Sequence, residues 1–354
     1  MNLEFLADYG LFFLKTLTVL ITAIIGMVAI IAVSARGKIS QPEGSIDIKK
    51  VNDIFDDYQE TLEANLLDTE ALKDLRKEQK KIEKAKAKSL KKSKKDKTPI
   101  APRPRAFIIK FDGDVKASAV DSLRQEVNAV LTIASPKDEV IIDLESPGGM
   151  VHTYGLAASQ LSRLRQADLN LTICVDRVAA SGGYLMACVG QQILAAPFAI
   201  IGSIGVLAQI PNFNRALKKI DIDYEVMTAG EHKAPVTMFG EVSEKGKAKL
   251  QSELEETHEL FKNFIADNRP QVDLSSVATG EVWYGQQAIN LNLVDRIITL
   301  DDYLLSLRSS VDLYQISYAE KKTLPEKLGL MVSHALNHTI DTALTKDRQL
   351  SLTK

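Results

Sequence analysis

Apolar and polar positions divide this chain into stretches of different character. Thr16 to Ala35 carries no charged residue. At about 1.5 Å rise per residue a helix of that length spans about 30 Å, the thickness of a bilayer's hydrocarbon core. The pattern predicts a membrane anchor over 16–35 behind an N-terminal tail of residues 1–15. A cleaved secretory leader is the competing reading, because Val33-Ser34-Ala35 resembles a cleavage site. The apolar run exceeds a leader's core, however, and Glu4 and Asp8 precede it in place of a basic cluster. Residues 36–104 are polar. From Ile46 onward the spacing turns helical, and residues 69–97 become a lysine-rich run with no apolar stripe. Such a run predicts a solvated helix or a disordered linker, and beside a membrane it also suits anionic lipid. Pro99, Pro102 and Pro104 close the segment.

From Arg105 the periodicity changes. Ala106 to Phe111, Val140 to Leu144 and Leu169 to Val175 are short, β-branched apolar runs that predict strands. Amphipathic spacing predicts helices from Val120 to Ile133, from near Gly149 to about Leu164, and briefly after Ser181. Alternating strand and helix predicts a layered α/β domain with a largely parallel sheet over residues 105–310. A second apolar stretch, Ile193 to Ile210, is interrupted by Pro197, Gly202 and Gly205 and reads as a pair of central strands. Residues 245–268 predict a long polar helix with Leu250, Leu254, Leu260, Phe261 and Phe264 on one side. The tail, residues 311–354, carries an amphipathic stretch from Glu326 to Leu344.

The chain is 45% apolar and 25% charged, and its net charge is −2. That balance is ordinary for a globular protein and points to no nucleic-acid partner. Cys174 and Cys188 both lie in apolar surroundings and read as buried thiols rather than a disulfide. There is no metal-ligand cluster and no phosphate loop, so neither a metal nor a cofactor is expected.

Two motifs carry candidate chemistry. Ser181 stands in Val178-Ala179-Ala180-Ser181-Gly182-Gly183-Tyr184, where small residues let the backbone turn sharply beside an open side chain. Ser146-Pro147-Gly148-Gly149 ends the strand at Leu144. A serine hydroxyl attacks an acyl group only when a base takes its proton. Lys233 is one candidate. A lysine serves if it is neutral, which an apolar pocket favours by penalising the ammonium form. His152, beside the Gly-Gly turn, and His232, beside the lysine, are the alternatives. The oxyanion of a tetrahedral intermediate needs fixed donors, and the amides of Gly182 and of Gly148 or Gly149 are candidates. Ser203, in Gly202-Ser203-Ile204-Gly205, is placed to orient a lysine amine by accepting a hydrogen bond.

Ser-Pro-Gly-Gly, Ala-Ser-Gly-Gly-Tyr-Leu-Met-Ala-Cys, Gly-Ser-Ile-Gly-Val, the lysine at 233 and Thr279-Gly280-Glu281-Val282-Trp283-Tyr284-Gly285, followed by Leu293-Val294-Asp295, together resemble the signal peptide peptidase A (SppA) family of membrane-bound serine peptidases. The resemblance covers roughly residues 105–305. It implies a layered fold similar to the Clp protease and crotonase superfamily, with a Ser181/Lys233 dyad and an oxyanion hole from Gly182 and the Gly148-Gly149 turn. It also implies a ring-like homo-oligomer, peptide substrates of the signal-peptide-remnant kind, and a bacterial inner-membrane location with the catalytic domain in the periplasm. The charges after the anchor (Arg36, Lys38, Lys49 and Lys50) favour the opposite, cytoplasmic side. A catalytically silent scaffold, or a crotonase-like acyl-CoA enzyme, would keep the same fold.

Overall fold

Continuous apolar strands need cover on both faces, and the fold supplies it. In the computed structural model the described residues are 10–19, 22, 44–68, 70–75, 77, 81, 84, 103–230, 233 and 235–319. Ile46 to Tyr318 form one compact unit. Its elements are β1 (Ser45–Lys50), α1 (Val51–Leu66), β2 (Arg105–Asp112), α2 (Val120–Leu131), β3 (Glu139–Glu145), α3 (Val151–Gln166), β4 (Asn170–Val175), β5 (Val178–Ala180), α4 (Gly182–Ala187), β6 (Gln192–Ala195) and β7 (Ile200–Gly202). There follow α5 (Asn214–Lys219), α6 (Glu244–Asn268), α7 (Leu274–Val277), β8 (Val282–Tyr284), α8 (Gly285–Ala288), β9 (Arg296–Ile297), α9 (Leu300–Leu307) and β10 (Asp312–Ala319).

Seven strands form one sheet in the order β1-β10-β2-β3-β4-β6-β9, and β5-β7-β8 form a second. The pairs β10–β2, β2–β3, β3–β4, β4–β6 and β6–β9 are all parallel. Alternate residues of β2 serve opposite faces, as the two-residue strand period requires. Phe107, Ile109 and Phe111 join the larger core with Leu123 and Val127 of α2 and Leu161 and Leu164 of α3. Ala106 and Ile108 join a smaller core with Val51 of α1 and Tyr303 and Leu304 of α9. Cys174 and Cys188 are free and buried, and burial pushes both thiols up.

The predicted α/β alternation therefore stands, with three differences. Ser45–Lys50, part of a stretch read as linker turning helical, is a strand neighbouring β10, and α1 packs through Val51 on the sheet. Asp312–Ala319, assigned to the tail, lies inside the sheet. The second apolar stretch does give two strands, β6 and β7, but they belong to different sheets. Residues 10–19 are helical, and among the described residues no helix is long and apolar enough to cross a membrane. The predicted anchor falls outside the described residues beyond Thr16–Val19 and Thr22, as does most of the lysine-rich run and all of Glu326–Leu344.

Candidate active site

The site is built where the two sheets meet. β3 ends at Glu145, and the next residue bridges to β5: Ser146 pairs with Ala179. The Ser146 amide donates to the Val178 carbonyl at 2.8 Å, and the Ala180 amide donates to the Ser146 carbonyl at 3.0 Å. This brings Ser-Pro-Gly-Gly and Ala-Ser-Gly-Gly into direct contact. A β-carbon on Gly148 would lie 2.7 Å from both the Ala180 carbonyl oxygen and the Gly182 nitrogen, and 2.8 Å from the Ser181 β-carbon. Gly148 also has φ +87°, which L side chains rarely adopt. Only glycine fits here.

Ser181 sits at φ 53° and ψ −119° between β5 and α4. A non-glycine residue held there costs on the order of 1–3 kcal/mol and persists because its surroundings dictate it. The Ser181 amide donates to the Gly202 carbonyl at 2.7 Å, tying the turn to β7. The register of β5 on β7 ends with Ala180 opposite Gly202, and Ser203, the next residue, is not among those lining the Ser181 cavity. The Ser203 amide donates to the Glu281 carbonyl, so the late Gly-Glu-Val-Trp-Tyr motif, as β8, braces this edge.

Gly149, Ser181 and Gly182 line one cavity of about 360 Å³. Its walls are Val151, Leu185, Val206, Leu260, Phe261 and Phe264, so α6 contributes the apolar residues its sequence spacing placed on one side. Thr257 and Ser159 are among its few polar side chains. The Gly149 and Gly182 amides find no hydrogen-bond partner among the described residues. The Gly148 amide does: it donates to the Ser146 Oγ at 3.0 Å. This corrects one expectation, because an amide already bonded to its own turn is not free for an oxyanion.

Lys233 and His152 are not among the residues that line this cavity. Lys233 is exposed on a bend, where its amide donates to the Gly230 carbonyl, and it is not among the residues around the Ser181 cavity. It belongs to an arm that begins at Val206, and Ala208, Ile210, Asn212 and Val236 of this arm share a pocket with Leu250 and Leu254 of α6. Asn212 and Asn214 tie the ends of the arm together by donating to the carbonyls of Thr237, Gly240 and Phe239. Phe213, Tyr224 and Phe239 form a small ring cluster on it. Many of its apolar side chains are exposed, including Leu207 (76%), Ile220 (65%) and Met227 (88%). His152 lies exposed in the first turn of α3, and His232 falls outside the described residues. Among the described residues no group of His, Cys, Asp and Glu is arranged to hold a metal ion. Sequence reasoning missed Tyr154, which is fully buried beside Ser146 and Gly182. Its spacing from the Gly-Gly turn, one helical turn into α3, is the signal that was available.

Comparison with known proteins shows the family to which the chain belongs. Residues 4–161 match the pattern described as Peptidase family S49 N-terminal, and residues 163–314 match Peptidase family S49. A probable protease SohB of Haemophilus influenzae is 46% identical over 348 residues, covering 97% of this chain and 97% of that one. A putative signal peptide peptidase SppA of Enterococcus faecium is 27% identical over 220 residues, covering 60% of this chain and 63% of that one. Among solved structures, a membrane-bound stomatin-specific protease superposes with a TM-score of 0.39 at 13% identity, over 58% of this chain and 84% of that one. The two family matches adjoin across the described α/β unit, and with near-full-length identity to a SohB protease they establish that this chain belongs to peptidase family S49 and is a protease.

Proposed function

We propose that the chain is a membrane-anchored serine endopeptidase, with Ser181 as nucleophile and Lys233 as general base, that cleaves extended apolar peptide segments. The observation that carries this reading is the convergence on one apolar cavity of Ser181 with Gly149 and Gly182, whose amides have no hydrogen-bond partner among the described residues. The Ser181 Oγ attacks the scissile carbonyl carbon while its proton passes to the neutral amine of Lys233. The developing oxyanion takes hydrogen bonds from the Gly149 and Gly182 amides. Collapse of the tetrahedral species breaks the C–N bond. The lysine returns its proton to the departing amine, and an ester to Ser181 remains. Water, deprotonated by the same lysine, then hydrolyses the ester and restores the serine.

A lysine acts as a base in dry surroundings, and Lys233 is exposed in the lone chain. The exposed apolar side chains on its arm support an assembly in which a second copy of the chain covers the arm and brings the lysine to a serine. A ring-like homo-oligomer meets that requirement. Ser203, which directly follows β7, orients the amine. The uncharged run 16–35 anchors the assembly in a bacterial inner membrane with the catalytic unit in the periplasm, near remnants of membrane-inserted peptides. Protease accessibility in spheroplasts tests that side.

A fluorophosphonate probe tests the dyad. Wild type should be labelled at Ser181, and Ser181→Ala and Lys233→Ala should not be labelled. Labelling that survives Lys233→Ala and disappears in His152→Ala or His232→Ala would transfer the base to a histidine.

A further inference from the structure

The Gly148 amide, withdrawn from the oxyanion, enters a chain of hydrogen bonds whose direction can be read atom by atom. It donates to the Ser146 Oγ at 3.0 Å. The Ser146 Oγ and the Tyr154 hydroxyl are in contact at 2.5 Å, where either oxygen is able to donate. The Tyr154 oxygen also lies 2.7 Å from the Asp114 carbonyl, which only accepts. The phenol proton therefore belongs to Asp114, and the Ser146 proton belongs to Tyr154. The order is Gly148 N–H to Ser146, Ser146 O–H to Tyr154, Tyr154 O–H to Asp114. Ser146 and Tyr154 are both wholly buried, which strengthens the bonds between them. Burial pushes the Tyr154 phenol up, so its proton stays in place.

The far end of the chain is rigid. The Asp114 carboxylate accepts from the amides of Lys116 and Ser118 and from the Ser118 hydroxyl, fixing the 114–118 loop. The same loop holds the other side of the turn, because the Val115 carbonyl accepts from the Met150 amide at 2.9 Å. Gly113 leaves room for the hydroxyls: a β-carbon there would stand 2.5 Å from the Tyr154 oxygen and 2.6 Å from the Ser146 Oγ. The Tyr154 ring also packs on Gly182, which would clash with it if it bore a side chain.

Resting on the assignment of Ser181 as nucleophile, we infer that Tyr154 is a positioning residue, which acts through Ser146 and Gly148 to hold the Gly149 amide where the oxyanion forms. Tyr154 stands in the cavity wall with no exposed surface, and it acts through the peptide unit next to the donor.

Steady-state kinetics on the full-length protein with an apolar fluorogenic peptide tests this, using Tyr154→Phe, Ser146→Ala, the double variant and Ser181→Ala. Tyr154→Phe keeps the ring against Gly182 and removes only the hydroxyl. Loss of one oxyanion donor outright typically costs ~100-fold or more in kcat, so a displaced donor should cost about 10-fold, with KM little changed. Acylation by a fluorophosphonate should slow in parallel, and the pH–rate profile should keep its wild-type shape because the base is untouched. The double variant should be no slower than the worse single variant, since both break one chain. If Tyr154→Phe does not fold, Ser146→Ala carries the same measurements. Wild-type kcat in a folded Tyr154→Phe, or losses that multiply in the double variant, would overturn the inference while leaving Ser181 in its role. Turnover by Ser181→Ala would overturn both.

Discussion

Gly155→Leu separates the apolar cavity from every other part of the reading, because its two effects have opposite signs. Gly155 lies within α3 and lines the Ser181 cavity, and a β-carbon placed on it meets no heavy atom within 4 Å. The β-carbon of the new side chain therefore meets open space. Replacing an interior helical glycine by a good helix former contributes about 1 kcal/mol, which in a unit of this size raises Tm by roughly 2–4 °C. The same side chain projects into a space of about 360 Å³ and takes room from the substrate. A Phe or Leu side chain gains roughly 1.5–3 kcal/mol on burial. Denied that burial, such a substrate should lose roughly 10- to 100-fold in kcat/KM. A peptide identical except for Ala at that position needs little of the cavity and should be spared. The assay is kcat/KM for two fluorogenic peptides that differ only in the residue before the scissile bond, with Gly155→Ala supplying the helix effect without the bulk. An equal loss for both peptides, or no loss for either, would show that this cavity does not receive the substrate side chain.

Three further outcomes follow from particular contacts. Gly148→Ala forces a β-carbon against Ala180, Ser181 and Gly182 at φ +87°, so fluorophosphonate labelling should be nearly lost, and thermal unfolding should show a destabilisation of at least ~1–2 kcal/mol. Asp295→Ala strands the buried Arg269 guanidinium, which holds both Asp295 oxygens at 2.7 and 3.0 Å; urea unfolding should show a loss of about 3–5 kcal/mol. Burial alone would raise the Asp138 carboxyl, but bonds from Arg105 and Ser135 outweigh it and hold the group at about 2. A carboxyl depressed on folding stabilises fully above its unfolded value near 3.9, and that contribution disappears as pH falls through the folded value. The unfolding free energy should therefore drop by about 2 kcal/mol between pH 4 and pH 2, and Asp138→Asn should flatten that slope.

Local patterns along the chain set the individual elements. Val140 to Leu144 reads as a strand because its apolar β-branched run needs no partner to be recognised, and Pro147-Gly148 ends it for purely local reasons. The same holds for α2, α3 and α6, whose bounds depart from the spacing by a few residues. Ser181, Gly149 and Gly182 were legible because a sharp turn with a bare backbone requires small residues in a fixed order. Ser45–Lys50 and Asp312–Ala319 were not legible as strands of the main sheet. Asp312–Ala319 takes its place from pairing with Arg105–Asp112, more than half the chain away, and no local period reports a partner that distant. The fate of the Gly148 amide was decided the same way. Its bond to Ser146 depends on a tyrosine from one helix and a carbonyl from a separate loop, which only packing brings to one point. Local composition dictates which conformations a segment prefers, whereas a donor's partner is dictated by what the whole chain folds beside it.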